Sequence, residues 1–117
     1  MSENLTWEKK DKAVVFRFHG SIESDITSML RQQIIQTLKE EKSDIAIFHL
    51  GDATYIDSMG IGMFVHLHVQ HHEKIQFLFC EMSGGISKAF GYVKLISFFD
   101  IRDSLDEVLE ELRRAEA

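Results

Sequence analysis

The chain contains no proline, only one cysteine among 117 residues, and no run of lysine or arginine. Without proline, the breaks between elements must come from Gly, Asp, Asn and Ser. The lone Cys80 has no partner for an internal disulfide, which fits a reducing cytoplasm and leaves no resolving thiol for redox chemistry. Thirteen basic residues against nineteen acidic ones give a net charge of −6. With no basic stripe, the electrostatic footprint of a nucleic-acid binder is missing, and an anionic membrane surface is disfavoured for the same reason. No apolar stretch approaches the roughly 20 residues needed to span a bilayer. The first ten residues lack the apolar core of a signal peptide.

What is present is ordinary globular composition, 44% hydrophobic and 27% charged. The length suits a single domain over residues 1–117 and is short for two domains with a cleft between them. Ala13–Phe18 is β-branched and aromatic and reads as a strand, with Leu5–Glu8 as its hairpin partner across Lys9–Lys12. Gly20-Ser21 is expected to end it. Ile26, Met29, Leu30, Ile34 and Leu38 recur at helical spacing, predicting a helix over residues 25–40 capped by Ser24 or Asp25. Asp44–Leu50 is a second strong strand, followed by an expected loop over Gly51–Ile56.

A helix follows from Met59 to about His71, then a strand over Ile75–Phe79 that places Cys80 at its end. A short helix from about Gly84 to Tyr92 can be capped by Ser83, and a short strand is expected over Ile96–Phe99. The last helix opens at Asp103–Asp106 and ends near Arg114, with Ser104 and Glu107 at capping-box spacing. Strands alternating with helices imply an α/β fold: a four- to five-stranded, mainly parallel sheet with helices packed mainly on one face.

The segment Tyr55-Ile56-Asp57-Ser58-Met59-Gly60-Ile61-Gly62-Met63 is the most unusual. It sets Asp-Ser at a helix start with two glycines in the first turn, each costing roughly 1 kcal/mol relative to alanine. Such glycines point to close backbone packing or to close approach by another molecule. Alternatively, Asp57 or Ser58 simply caps the helix. Apolar residues also exceed what one buried stripe of this helix can use. Met59 and Met63 are therefore expected at a solvent or partner surface, unless the helix is buried more deeply than usual.

Catalytic and metal motifs are weak. His68 and His72 are spaced i,i+4, but no third ligand is evident. Gly84-Gly85 lacks the Gly-Lys-Ser/Thr of a phosphate loop. Ser58 lacks the Gly-x-Ser-x-Gly elbow, and adjacent Asp57 cannot orient a remote histidine as a triad requires. The expectation is no enzyme, no metal and no cofactor.

Gly20-Ser21-Ile22-Glu23 after a strand, the strand at 44–50, the Asp57-Ser58-Met59-Gly60-Ile61-Gly62 element and the Phe98–Leu109 ending together resemble the STAS domain. Specifically, they resemble the anti-sigma-factor antagonists of bacterial partner-switching systems. The similarity covers nearly the whole chain. Glu23 stands where that family usually has Asp, and Met59 where it often has Ser or Thr. The resemblance implies phosphorylation of Ser58 by an anti-sigma factor that is also a serine kinase, reversed by a PP2C-type phosphatase. The unphosphorylated form would bind the kinase and release its sigma factor. Ser21, Glu23, Asp57, Met59, Gly60, Gly62 and Met63 would then lie at the partner contact. The alternative is a STAS scaffold that does not switch, or a small-ligand sensor subunit of a larger assembly.

Overall fold

In the computed structural model, which describes residues 4–82, 84–92 and 99–116, the chain opens with a hairpin. Strands β1 (Leu5–Lys10) and β2 (Ala13–Ile22) pair antiparallel across the two-residue connection Asp11-Lys12. Asp11 takes the left-handed conformation such tight connections need, at φ 55°. The order then matches the sequence reading: α1 (Thr27–Glu40), β3 (Ile45–Ile56), α2 (Ser58–His71), β4 (Gln76–Cys80), α3 (Gly84–Tyr92), β5 (Asp100–Ile101) and α4 (Leu105–Glu116). The sheet has the strand order β1-β2-β3-β4-β5, and every pairing after the first hairpin is parallel.

This order dictates where the helices go. Three parallel crossovers stepping in one direction, each right-handed, must leave their helices on one face. The main core accordingly joins Leu30, Ile34 and Leu38 of α1, Ile61, Phe64 and Leu67 of α2, and Ile86 and Phe90 of α3. Helix α4 follows the last strand, is not a crossover, and covers the opposite face with Val108 and Leu109. Side chains alternate between the two faces as extended backbone requires. Val14, Phe16 and Phe18 face the three helices, while Ala13 and Val15 face α4. Phe48 on the central strand lies within 6.0 Å, ring centre to ring centre, of Phe16, Phe18, Phe64, Phe77 and Phe79.

Several expectations are corrected. Residues 51–56 are not a loop, and Gly20-Ser21 does not end a strand. Both strands run on together, His19 opposite Asp52 and Ile22 opposite Ile56, with register shifts at Arg17/His19 and Gly20/Ser21. Gly20 makes the irregularity possible with φ +76°, a conformation glycine adopts freely. Since β4 pairs β3 only from Ile45 to His49, the paired tails of β2 and β3 extend past it as a two-stranded ribbon.

Neither Ser24 nor Asp25 caps α1. The N-cap is Ile26, without a side-chain bond. Met29 is 37% exposed rather than part of the buried stripe. The last strand is Asp100–Ile101 and not Ile96–Phe99: Phe99 precedes it outside any strand, while residues 96–98 and the Ser83 cap lie outside the described residues. The Ser104 cap forms as read, its hydroxyl accepting from the Glu107 amide at 3.1 Å.

Candidate functional site

The ribbon ends at Asp57, which is the N-cap of α2. Its backbone is extended, at φ −98° and ψ −179°. Its Oδ1 accepts the Gly60 amide at 2.8 Å. Its Oδ2 accepts the Ser24 amide at 3.0 Å, from the loop between β2 and α1. The Asp57 amide in turn donates to the Ile22 carbonyl at 3.2 Å. One carboxylate therefore fastens the start of α2 to Ser24 in the loop after β2, thirty-three residues away in sequence. With both oxygens bonded to backbone amides, Asp57 acts as a clamp.

Ser58 is the first residue of α2 and is exposed. An α-helix cannot satisfy the amides of its own first turn. Here the Gly60 amide is taken by Asp57, and the first intrahelical bond runs from the Ile61 amide to the Asp57 carbonyl. The amides of Ser58 and Met59 remain at the positive end of the helix dipole, a setting that favours an anion.

The two glycines separate into two roles. A Cβ on Gly60 would sit 2.6 Å from the Ile22 carbonyl oxygen and 2.7 Å from Ile56 Cγ1. Gly60 is thus the close approach that seats the helix on the ribbon. A Cβ on Gly62 would meet nothing within 4 Å, so Gly62 leaves open surface beside Ser58.

Met59 is 57% exposed, as expected for a contact surface. Met63 is not. Its side chain is 3% exposed and belongs to the main core, so it is removed from the contact surface. Helix α2 is the middle helix of three, so its flanks are covered as well as its underside, and its buried stripe is wider than for an edge helix. Ser21 is half-buried opposite Tyr55, and Glu23 is exposed in the loop that Asp57 fastens. The fold therefore brings 21–24 and 55–59 together. Tyr55, 51% exposed on the ribbon, was missed by sequence reasoning. Its signal was an aromatic residue one place before the buried Ile56, on the opposite side of an extended strand.

The sequence model of the STAS domain matches residues 4–108. The chain belongs to the STAS domain family. Among solved structures, this STAS domain is similar to an anti-sigma factor antagonist from Mycobacterium paratuberculosis, at 16% identity and TM-score 0.82, covering 93% of this chain and 92% of that one. It is also similar to the anti-sigma factor antagonist SpoIIAA in its unphosphorylated form, at 16% identity and TM-score 0.76, covering 93% and 96%. The phosphorylated form of SpoIIAA, a Bacillus cell-fate determinant, matches at 15% identity and TM-score 0.69, covering 92% and 98%. At these identities the likeness is one of fold.

Cys80 and the His68–His72 pair of the STAS domain lie elsewhere. Cys80 is fully buried at the end of β4, and burial, then the nearby Glu81, pushes its thiol up to about 12. His68 and His72 stack their rings 5.1 Å apart. Burial, then the neighbouring His72, lowers the His68 pKa. Among the described residues no group of three His, Cys, Asp or Glu side chains is placed to hold a metal. No helix among them is long and apolar enough to cross a membrane.

Proposed function

We propose that this chain is a non-enzymatic, cytoplasmic partner-switching protein of the anti-sigma-factor-antagonist type. Unmodified, it binds an anti-sigma factor that is also a serine kinase, and so releases the sigma factor. Phosphate on Ser58 ends that binding, and a PP2C-type phosphatase restores it. The observation that carries the reading is the placement of Ser58: an exposed hydroxyl on the first residue of α2, between exposed Met59 and the clamp Asp57.

The physical chemistry supports a switch without unfolding. Phosphate adds about −1.5 to −2 charges and three acceptor oxygens at a helix end that tolerates them. The clamp does not involve the Ser58 side chain, so modification leaves it in place. The contact surface nonetheless changes character. Met59, Tyr55 and the open position at Gly62 form a partly apolar surface with Glu23 in the adjoining loop, on a chain already at −6. A partner surface matched to the unmodified patch would have to desolvate or face the new dianion.

The test is phosphorylation followed by intact mass. Incubated with ATP and the kinase recovered by pull-down on the unmodified protein, the wild type should gain one phosphate and Ser58→Ala none. Equal modification of both proteins, or none of either, would leave a non-switching scaffold as the better description.

A further inference from the structure

A groove of about 740 Å³ opens to solvent between α1 and α2, lined by Arg31, Gln36 and Glu40 on one side and His66, Gln70 and His71 on the other. Arg31 sets it apart. The chain has five arginines. Arg17 pairs with Glu8, Arg102 with Glu111, Arg113 with Asp11 and Glu110, and Arg114 with Glu110. Arg31 alone has no carboxylate or carbonyl partner among the described residues, although it is half-buried. A partly desolvated guanidinium without an acceptor is unfavourable, and its fork matches a carboxylate or a phosphate.

The surroundings are of the same kind. Gln36, Gln70 and the two imidazoles can all donate hydrogen bonds. Among the described residues Glu40 is the only carboxylate in the groove lining, and it sits nine residues along α1 from Arg31, about 13 Å of helix rise. Burial, then His66 and Lys39, lowers the His71 pKa, which favours its neutral form. On a chain of net charge −6 the Arg31 end of this groove is donor-rich.

We propose that the groove binds a small, multiply charged oxyanion, a polycarboxylate or a phosphate ester, with Arg31 as its bidentate anchor and His66 as a second donor. The proposal does not depend on phosphorylation of Ser58, which lies eight residues before His66 on the same helix.

The experiment is a titration of the full chain with citrate and, separately, with inorganic pyrophosphate, followed by amide NMR shifts at ionic strength held constant with sodium chloride. Saturable shifts should centre on Arg31, Gln32, His66 and Gln70. Affinity should fall at least about tenfold in Arg31→Gln, and less in Arg31→Lys, which keeps the charge but loses the fork. Saturation by citrate alone supports the site as one for carboxylates, by pyrophosphate alone as one for phosphates, and by both as a general oxyanion site. Three outcomes overturn it: no saturation by either probe, shifts that follow ionic strength only, or equal affinity in Arg31→Gln.

Discussion

The inner and outer sides of α2 do different work. Inward, Gly60, Ile61, Met63, Phe64 and Leu67 are buried among strands and flanking helices. Outward, Ser58, Met59, Gly62 and Val69 are exposed. Rigidity on one side is what makes the other side usable. A hydroxyl presented at a fixed position needs a helix that cannot slide, and Gly60 seated against Ile22 together with the Asp57 clamp provides that.

The largest expected effect comes from the largest side chain buried on the inner side. Phe64 packs its ring 5.1–5.3 Å from those of Phe48, Phe79 and Phe18. Phe64→Ala should cost about 3–5 kcal/mol in urea unfolding. Next is Gly60→Ala. The Ile22 carbonyl that a methyl group would strike is held by the Asp57 amide. Overpacking there should destabilise by about 1–3 kcal/mol. Asp57→Ala removes both arms of the clamp and should cost about 1–2 kcal/mol, the upper range for a helix cap. Asp57→Asn keeps one acceptor oxygen and should lie between that variant and the wild type.

The smallest effect should have the opposite sign. At Gly62 an added methyl meets open space, so Gly62→Ala should stabilise the helix by about 0.5–1 kcal/mol. The same substitution should weaken partner binding, because the methyl occupies the contact surface. If Gly60→Ala and Gly62→Ala shift the unfolding midpoint in the same direction, the two-sided description of α2 is wrong.

Much of this arrangement was legible because side-chain periodicity reports it. The alternating core residues of Ala13–Phe18 and the helical spacing in Leu105–Leu112 lead to elements the structure contains. Asp57-Ser58 followed by glycines marked the helix start within one residue. What escaped was set by backbone pairing and by distant partners. Gly51–Thr54 carries no strand pattern, and it is extended because the tail of β2 pairs with it. Nothing near Thr27 announces that the loop before α1 is tied by a carboxylate from the next crossover. Met63 and Met59 share an i,i+4 spacing, yet one is buried and the other exposed, because only Met63 lies deep enough to be covered by neighbouring helices. Periodicity within one helix does not contain that information.

The central claim is that phosphate on Ser58 changes what α2 can bind without changing the fold. Titration calorimetry of the unmodified and Ser58-phosphorylated proteins against the anti-sigma kinase tests it most directly, with circular dichroism as the control for folding. The account predicts superimposable dichroism and an affinity at least about tenfold lower for the phosphorylated form, a loss of about 1.4 kcal/mol or more. Equal affinities for the two forms, at unchanged fold, would contradict it.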